Sequence, residues 1–131
     1  MSTNLERIRG YLQAIEAGAT GEALAAWFHP EAVQREFPNR LVALGATRDV
    51  HALREAAERG QRVISAQRYE VRGALCEGDQ VAVEVEWTGT LKVAVGSLPA
   101  GATMRAHCGI FFRLHNGLIL SQHNYDCFEQ F

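Results

Sequence analysis

Three polar residues, Gln122, Asn124 and Asp126, occupy alternate positions near the end of the chain, where alternate residues are otherwise apolar. In an extended strand, residues two apart point to the same face of the sheet. The three side chains therefore continue the apolar face that begins with Leu118 and Leu120. Burying an unpaired polar group costs several kcal/mol. We expect this polar row to need either an internal hydrogen-bond network or a cavity that holds water or a ligand.

A carboxyl group in such a place has a chemical use. Apolar surroundings raise the pKa of a carboxyl group, which makes Asp126 a candidate general acid or base near neutral pH. Asn124 is a candidate donor to a substrate oxygen, and Tyr11, on the first predicted helix, is a second one. The alternative is that Asp126 pairs with a backbone N–H or an arginine at the rim of the sheet. The sequence leaves both interpretations open.

The first half of the chain predicts helices that would cover this face. Apolar residues at three- and four-residue spacing indicate an amphipathic helix over residues 4–17. A second short helix is predicted from Thr20, a good N-cap, through Trp27 and Phe28 to residue 30. A third is predicted from residue 49 to residue 60. Residues 32–37 form a brief predicted strand between the last two.

From residue 64 onward the chain alternates between apolar and polar residues, which predicts strands. The longest alternating run, residues 81–95, has fifteen residues and would span about 50 Å at roughly 3.3 Å each. A strand of that length has to bend around something. We therefore predict one α+β domain, residues 1–131, in which three helices pack on a strongly curved antiparallel or mixed sheet enclosing a pocket. The other predicted strands are residues 64–76, 103–114 and 118–128, joined by turns at 76–79, 98–101 and 115–117.

Hairpin-connected strands share faces, so the apolar face can be followed from strand to strand. The side chains on this face, together with Trp27 of the second predicted helix, are candidates to line a ligand pocket. A tryptophan in such a position is more often part of the core than of a ligand site. The predicted lining residues are Trp27, Tyr69, Val85, Trp87, Cys108, Phe112 and Gln122.

The opposite face of the same strands carries charged, histidine and aromatic residues. Histidine and carboxylate side chains together can bind zinc or iron. However, their spacing here matches no known ligand signature, and we predict no metal site. A face of mixed charge with an aromatic residue favours contact with a second copy of the chain through two-fold symmetry, and hence a homodimer. These residues are Glu84, Glu86, Arg105, His107, His123 and Tyr125.

Composition narrows the possible partners and the compartment. The net charge is −2 and the basic residues form no cluster, which argues against nucleic acid as a partner. No run approaches the roughly 18 apolar residues of a membrane span, and the N-terminal residues lack the apolar core of a signal peptide. Cys76, Cys108 and Cys127 are an odd number without metal-ligand spacing, as expected for free thiols in a reducing compartment. We therefore predict a cytoplasmic protein without a cofactor.

Five segments distributed along the chain are informative together: 37–41 (FPNRL), 78–84 (GDQVAVE), 87–90 (WTGT), 116–119 (NGLI) and 124–128 (NYDCF). With these segments, essentially the whole chain resembles the nuclear-transport-factor-two-like superfamily, and its SnoaL-like branch in particular. The resemblance implies a cone-shaped α+β fold, as in polyketide cyclases, ketosteroid isomerases and limonene epoxide hydrolases, with inward-pointing carboxylates or tyrosines.

The resemblance also shows where this chain departs from the family. The catalytic carboxylate, aspartate and arginine of the hydrolases fall on Asn124, Trp87 and Val85, which argues against epoxide hydrolysis. Of the isomerase pattern, Tyr11 alone has a match. Two hypotheses follow. The first is an isomerase-, cyclase- or lyase-type enzyme that binds a small, largely apolar molecule and uses Asp126 for proton transfer. The second is a non-catalytic ligand-binding or dimerising accessory module of the same fold.

Overall fold

The computed structural model describes residues 3–131, and Met1 and Ser2 of the predicted domain lie outside the described residues. Three helices pack on one face of a six-stranded mixed sheet that does not close on itself, with strand order β2-β1-β6-β5-β4-β3. The α+β prediction is confirmed. The elements are α1 (Asn4–Glu16), α2 (Gly21–Ala25), β1 (Phe28–Glu36), β2 (Ala46–Arg48), α3 (Val50–Val63), β3 (Ile64–Glu77), β4 (Gln80–Leu91), β5 (Thr103–His115) and β6 (Leu118–Phe128).

Helix α1 lies on the sheet through its apolar stripe. The Thr3 side chain caps its first turn by accepting a hydrogen bond from the backbone N–H of Glu6. Its buried residues are Ile8, Tyr11 and Leu12. The Tyr11 ring packs edge-to-face against Phe28 and Phe112, with ring centroids 5.4 and 5.9 Å apart. These contacts fix the first helix, and with it Tyr11, above the centre of the sheet.

The second predicted helix is too long. Helix α2 ends at Ala25, and the chain enters strand β1 at Phe28, so that Pro30 lies inside a strand rather than at a helix end. Strand β1 pairs with β6 in parallel, with a register shift between Phe28 and Val33. Proline lacks a backbone N–H, and such an irregularity is where a strand tolerates it. The strand predicted at 32–37 is therefore the second half of a longer one.

Helix α3 runs past its predicted end. Asp49 caps it, as expected, by accepting from the Ala52 backbone N–H at 2.8 Å. The helix continues through Gly60 to Val63, and Ile64 at once takes the extended conformation of β3. Glycine inside a helix costs about 1 kcal/mol relative to alanine but does not have to end it. Strand β2, three residues paired with β1, was not predicted.

Strands β3 to β6 form the antiparallel meander that the alternation predicts, but β4 is shorter than predicted. Strand β4 stops at Leu91, whereas the alternating pattern continues to residue 95. Beyond Leu91 the chain leaves the sheet in a loop that contains one isolated bridge, between Val95 and Leu98. Alternation of apolar and polar residues predicts which side chains are buried, but it does not show whether the backbone still pairs with a neighbouring strand.

A β-bulge determines which side chains of β6 face the helices. Arg113 pairs with Ser121, whereas Leu114 pairs with Ile119, so Leu120 is an extra residue on β6. Ile119, which is 2 % exposed, is therefore the buried residue of this segment. The prediction that Leu118 and Leu120 point inward is wrong for this reason. Beyond the bulge, the even-numbered residues of β6 face the helices as predicted, and Gln122 lies opposite Phe112 on the concave face.

No helix among residues 3–131 has the length and apolar character needed to span a membrane.

The packing of α1 on the sheet predicts the effect of Leu12→Ala. Leu12 is 4 % exposed, so the shorter side chain leaves a cavity, and the free energy of unfolding should fall by about 2–5 kcal/mol. Urea unfolding at 25 °C measures the difference. Leu44→Ala is the matched control, because the same change at a residue that is 94 % exposed should have almost no effect. Equal destabilisation by the two substitutions would contradict the packing of α1 on the sheet.

Candidate functional site

A cavity of about 590 Å³ lies between α3, the loop that joins β1 to β2, and the concave face of β3 to β6. This volume is within the range of small-molecule sites, roughly 300–1,000 Å³. Its wall is apolar over the middle of the sheet and polar where β6 meets β1. The apolar part contains Val63, Ile64, Tyr69, Trp87, Leu91, Val95, Met104, Ala106, Cys108, Ile110 and Phe128, and the polar part contains Glu36, Arg48, Asn124 and Asp126.

Asp126 projects from β6 into this cavity, directly across from Cys108 of β5. Its Oδ1 atom is buried and has no hydrogen-bond partner among residues 3–131. Burial raises the pKa of Asp126, the hydrogen bond with Cys108 offsets part of that rise, and the Glu36 carboxylate adds to it. A buried carboxyl oxygen without a partner is costly, and it can be satisfied by a ligand that enters the cavity.

The Cys108 thiol, which lies opposite Asp126, is not a nucleophile. Burial raises the pKa of Cys108 well above its ordinary value, and the neighbouring Asp126 raises it further. The thiolate is the reactive form of cysteine, and raising the pKa disfavours it. Cys108 therefore remains a protonated donor beside the carboxyl group.

A chain of hydrogen bonds runs from α1 to the polar end of the cavity. The Tyr11 hydroxyl donates to Gln122 Oε1 at 3.1 Å, and Gln122 Nε2 donates to Asn124 Oδ1 at 2.8 Å. Burial raises the pKa of Tyr11 well above its ordinary value, so the phenol keeps its proton and remains a donor. Because Asn124 Oδ1 is occupied as an acceptor, its amide N–H group is left to face Asp126 and the cavity. The Asn124–Asp126 hydrogen bond partly offsets the rise in the pKa of Asp126.

The sequence analysis missed a second carboxylate in the cavity wall, Glu36 at the end of β1. Glu36 is the pairing partner of Asn124 in the parallel β1–β6 ladder. Its Oε1 lies 2.9 Å from Arg48 Nη1, and its Oε2 accepts from Asn39 Nδ2 at 2.8 Å. Arg48 also donates to Gln34 Oε1 at 3.0 Å. Both oxygens of Glu36 are thus engaged, in contrast to those of Asp126.

Two aromatic residues of the predicted lining form part of the apolar wall. The Trp87 indole N–H donates to Gln67 Oε1 at 2.9 Å, which fixes the ring plane against the cavity. Tyr69 faces the cavity from β3, and its backbone N–H donates to Glu16 Oε1 at 2.6 Å. Burial raises the pKa of Tyr69 well above its ordinary value. The two rings give the cavity a flat, apolar side.

The structure brings together five of the ten predicted site residues and places the other five elsewhere. Val85, Phe112 and Gln122 are buried in the core, and Gln122 reaches the cavity only through its bond to Asn124. Tyr11 lines a separate, smaller cavity of about 210 Å³ between the helices and the sheet. The residues in the wall of the large cavity are Tyr69, Trp87, Cys108, Asn124 and Asp126.

Trp27 lies outside both cavities, between the end of α2 and the start of β1. The Arg7 guanidinium is 4.6 Å from the centre of its ring. Its ring also packs on Gly10, where an added Cβ would come within 2.8 Å of Trp27 Cη2. Trp27 thus packs on α1 from the connection between α2 and β1.

The outer face of the sheet is organised by ion pairs and aromatic contacts. Glu86 pairs with both Arg72 and Arg105, and His107 Nε2 lies 2.9 Å from Glu129 Oε2. Residues 3–131 contain no group of three or more histidine, cysteine, aspartate or glutamate side chains placed to hold a metal ion. Tyr125 stacks on Phe37 at 4.5 Å and meets Phe111 edge-to-face at 5.7 Å.

Comparison with known proteins identifies the family. The family model described as the SnoaL-like domain matches residues 8–122, and the chain belongs to this family. Among the curated proteins, none matches this chain.

Solved structures share the fold at low sequence identity. IdmH from Streptomyces antibioticus is 21 % identical with a TM-score of 0.79, over 95 % of this chain and 92 % of that one. A SnoaL-like polyketide cyclase from Agrobacterium tumefaciens is 15 % identical with a TM-score of 0.71, over 96 % and 92 % of the two chains. A protein with a ketosteroid isomerase-like fold from Catenulispora acidiphila, in complex with trimethylamine, is 21 % identical with a TM-score of 0.66, over 88 % and 83 %. These likenesses confirm the nuclear-transport-factor-two-like cone.

The buried carboxyl group predicts a distinctive pH dependence of stability. Because folding raises the pKa of Asp126, the folded state binds more protons than the unfolded chain over part of the pH range. The free energy of unfolding of the natural protein should therefore fall as the pH rises from about 4, the ordinary pKa of aspartate, through the pKa of Asp126 in the folded state. Asp126→Asn should lack this fall and be more stable than the natural protein at higher pH.

Urea unfolding from pH 4 to pH 8 measures both curves. Asp79→Asn, at an exposed residue, is the matched control and should follow the natural protein across the range. Parallel curves for Asp126→Asn and the natural protein would show that burial does not perturb Asp126.

Proposed function

We propose that this SnoaL-like domain binds a small, largely apolar molecule in the large cavity and catalyses proton transfer beside a carbonyl group. The observation that carries this proposal is the buried Asp126 Oδ1, which has no hydrogen-bond partner among residues 3–131. A raised pKa makes its carboxylate a stronger base than an exposed aspartate. The apolar wall around it favours binding of a molecule with little polar surface.

In the proposed reaction, the Asp126 carboxylate takes a proton from the carbon beside the carbonyl. The electron pair of the broken C–H bond moves into the new C=C bond, and the carbonyl oxygen becomes an enolate oxygen. The Asn124 N–H group would donate to that oxygen as its charge develops. Return of the proton from Asp126 to the far carbon of a conjugated dienolate would complete an isomerisation. In a cyclisation, attack of the enolate carbon on a second carbonyl would form the new C–C bond, and the resulting alkoxide would take the proton back from Asp126.

The hydrogen-bond chain gives Tyr11 an indirect role in this proposal. Tyr11 lies in the smaller cavity and donates to Gln122, which in turn donates to Asn124 Oδ1. If Gln122 were reversed, the Asn124 oxygen would lose its donor, and the direction of the Asn124 amide would no longer be defined. Tyr11 and Gln122 therefore act as positioning residues, whereas Asn124 and Asp126 contact the ligand.

Asp126 is a better candidate for the base than Glu36. Both oxygens of Glu36 already accept hydrogen bonds, from Arg48 and Asn39. Taking up a proton on Glu36 would weaken its ion pair with Arg48, whereas Asp126 has no ion pair among residues 3–131. Glu36 instead contributes negative charge that favours the protonated form of Asp126.

Deuterium exchange into a simple ketone tests the reaction without knowledge of the natural substrate. In D₂O, the natural protein should accelerate exchange of the hydrogens beside the carbonyl of 2-tetralone, followed by mass spectrometry. Asp126→Asn should reduce the protein-dependent rate by about 10²–10⁴-fold, because the base is removed while the shape of the cavity is kept. Asp79→Asn should exchange at the natural rate. Equal rates for the natural protein and Asp126→Asn would exclude the reaction, and binding of 2-tetralone without exchange would favour the non-catalytic module.

We also propose that the outer sheet face joins two copies of the chain. Phe111 and Tyr125 are 54 % and 45 % exposed on this face, which also carries the ion pairs of Glu86. A face with aromatic residues in the middle and charges of both signs around them can complement itself across a two-fold axis.

Sedimentation at micromolar concentration tests this dimer. The natural protein should have the mass of a dimer, and Phe111→Asp should have the mass of a monomer because a charge would be buried at the contact. Glu58→Lys, an exposed change on α3 in the opposite layer, should remain dimeric. A monomeric natural protein would refute the dimer.

A further inference from the structure

The smaller cavity is not isolated from the larger one. The two cavities share part of their walls, formed by Ala56 and Gly60 of α3 and by Ile64 and Gln67 at the start of β3. The last turn of α3 and the first residues of β3 therefore separate two chambers of about 590 and 210 Å³.

Gly60 stands out among these four residues because neither the backbone nor the packing requires glycine there. It lies inside α3, and its φ is not among the positive values of the described residues. A Cβ atom added at Gly60 would have no heavy atom within 4 Å. Glycine is, after proline, the least favourable residue inside a helix. The absence of a side chain at Gly60 leaves open space in the wall between the two chambers.

The smaller chamber has the character of a site for an apolar group. Its walls include Ile15, Leu24 and Leu53. Its polar residues are Tyr11, Gln34, Gln61 and Gln67. The Tyr11 hydroxyl donates to Gln122, Gln34 Oε1 accepts from Arg48, and Gln67 Oε1 accepts from Trp87. A volume of about 210 Å³ exceeds the roughly 150 Å³ of an apolar protein cavity that binds benzene. A phenyl ring or a short alkyl chain would fit.

We propose that the two chambers form one binding site for elongated amphipathic molecules. The polar end of the ligand lies at Asp126 in the large chamber, and an apolar arm passes over Gly60 into the small chamber. Gly60 then determines specificity by allowing the arm to pass. This inference rests on the proposed function for the position of the polar end, and it adds the length and shape of the ligand.

Two phenols of different length test the passage, because a phenol can donate its hydroxyl to Asp126 Oδ1. Isothermal titration calorimetry with 4-methylphenol and 4-pentylphenol should show tighter binding of the longer probe by the natural protein. Burial of a methylene group is worth roughly a fourfold gain in affinity, so the four added methylenes should give about 250-fold. Gly60→Leu should bind 4-methylphenol within about twofold of the natural protein and lose most of the gain for 4-pentylphenol.

Two further variants separate passage from folding. Gly60→Ala should raise the Tm by about 3–6 °C, because alanine favours the helix, and should reduce the gain for 4-pentylphenol by a smaller factor. Glu58→Leu, on the exposed side of the same helix, should bind both probes like the natural protein. If Gly60→Leu does not fold, Gly60→Ala alone tests the passage. An unchanged gain in affinity for 4-pentylphenol over 4-methylphenol in Gly60→Ala would then overturn the proposed passage.

The outcomes also separate this inference from the proposed function. A full gain for 4-pentylphenol in Gly60→Leu would overturn the two-chamber site and leave the proposed function standing. Binding of 4-methylphenol that is equally strong in Asp126→Asn would contradict the position of the polar end and thereby the proposed function. Failure of both phenols to bind the natural protein would overturn both.

Discussion

The register of β6 against β5 is the constraint on which the candidate site depends. In a strand, a shift of one residue moves every side chain to the other face of the sheet. The extra residue at Leu120 provides such a shift once, so that Ile119 packs into the core on one side of the bulge and Gln122 points inward on the other. Without the bulge, either Ile119 or the row from Gln122 to Asp126 would have to face outward. The bulge thus lets one strand supply both core packing and the polar end of the cavity.

The amide groups at the polar end of the cavity have defined orientations because each hydrogen bond in the chain has a fixed donor and a fixed acceptor. A buried amide has two possible orientations, and the environment selects between them. Tyr11 keeps its proton and donates, so Gln122 presents its oxygen to Tyr11 and its nitrogen to Asn124. Asn124 in turn presents its nitrogen toward Asp126. The orientation of the group beside the carboxyl is therefore set by a phenol on the first helix, which couples the packing of α1 to the geometry of the site.

The sequence predicts those parts of the fold that depend on local pattern. Strands β3, β5 and β6 were predicted within one residue of their ends because their sequences alternate between apolar and polar residues, although register shifts interrupt the pairing of β3 and β6. The boundary between the second helix and β1 was misplaced because β1 is defined by its parallel pairing with β6, which is distant along the chain. Glu36 was missed for the same reason. Nothing in its local pattern brings it beside Asn124, and only the pairing of distant strands does so.

The two carboxyl groups of the cavity show why residue type alone cannot assign roles. Glu36 pairs with Asn124 on the adjacent strand, two residues before Asp126, and its charge raises the pKa of Asp126. Arg48 and Asn39 bind both oxygens of Glu36 and hold it as an ion pair. The groups beside Asp126, Cys108 and Asn124, are neutral, and Asp126 Oδ1 has no partner among residues 3–131. Pairs of acids become chemically distinct when their surroundings differ in this way. The environment of Asp126, more than its identity as an aspartate, is what makes it suited to exchange a proton with a bound molecule.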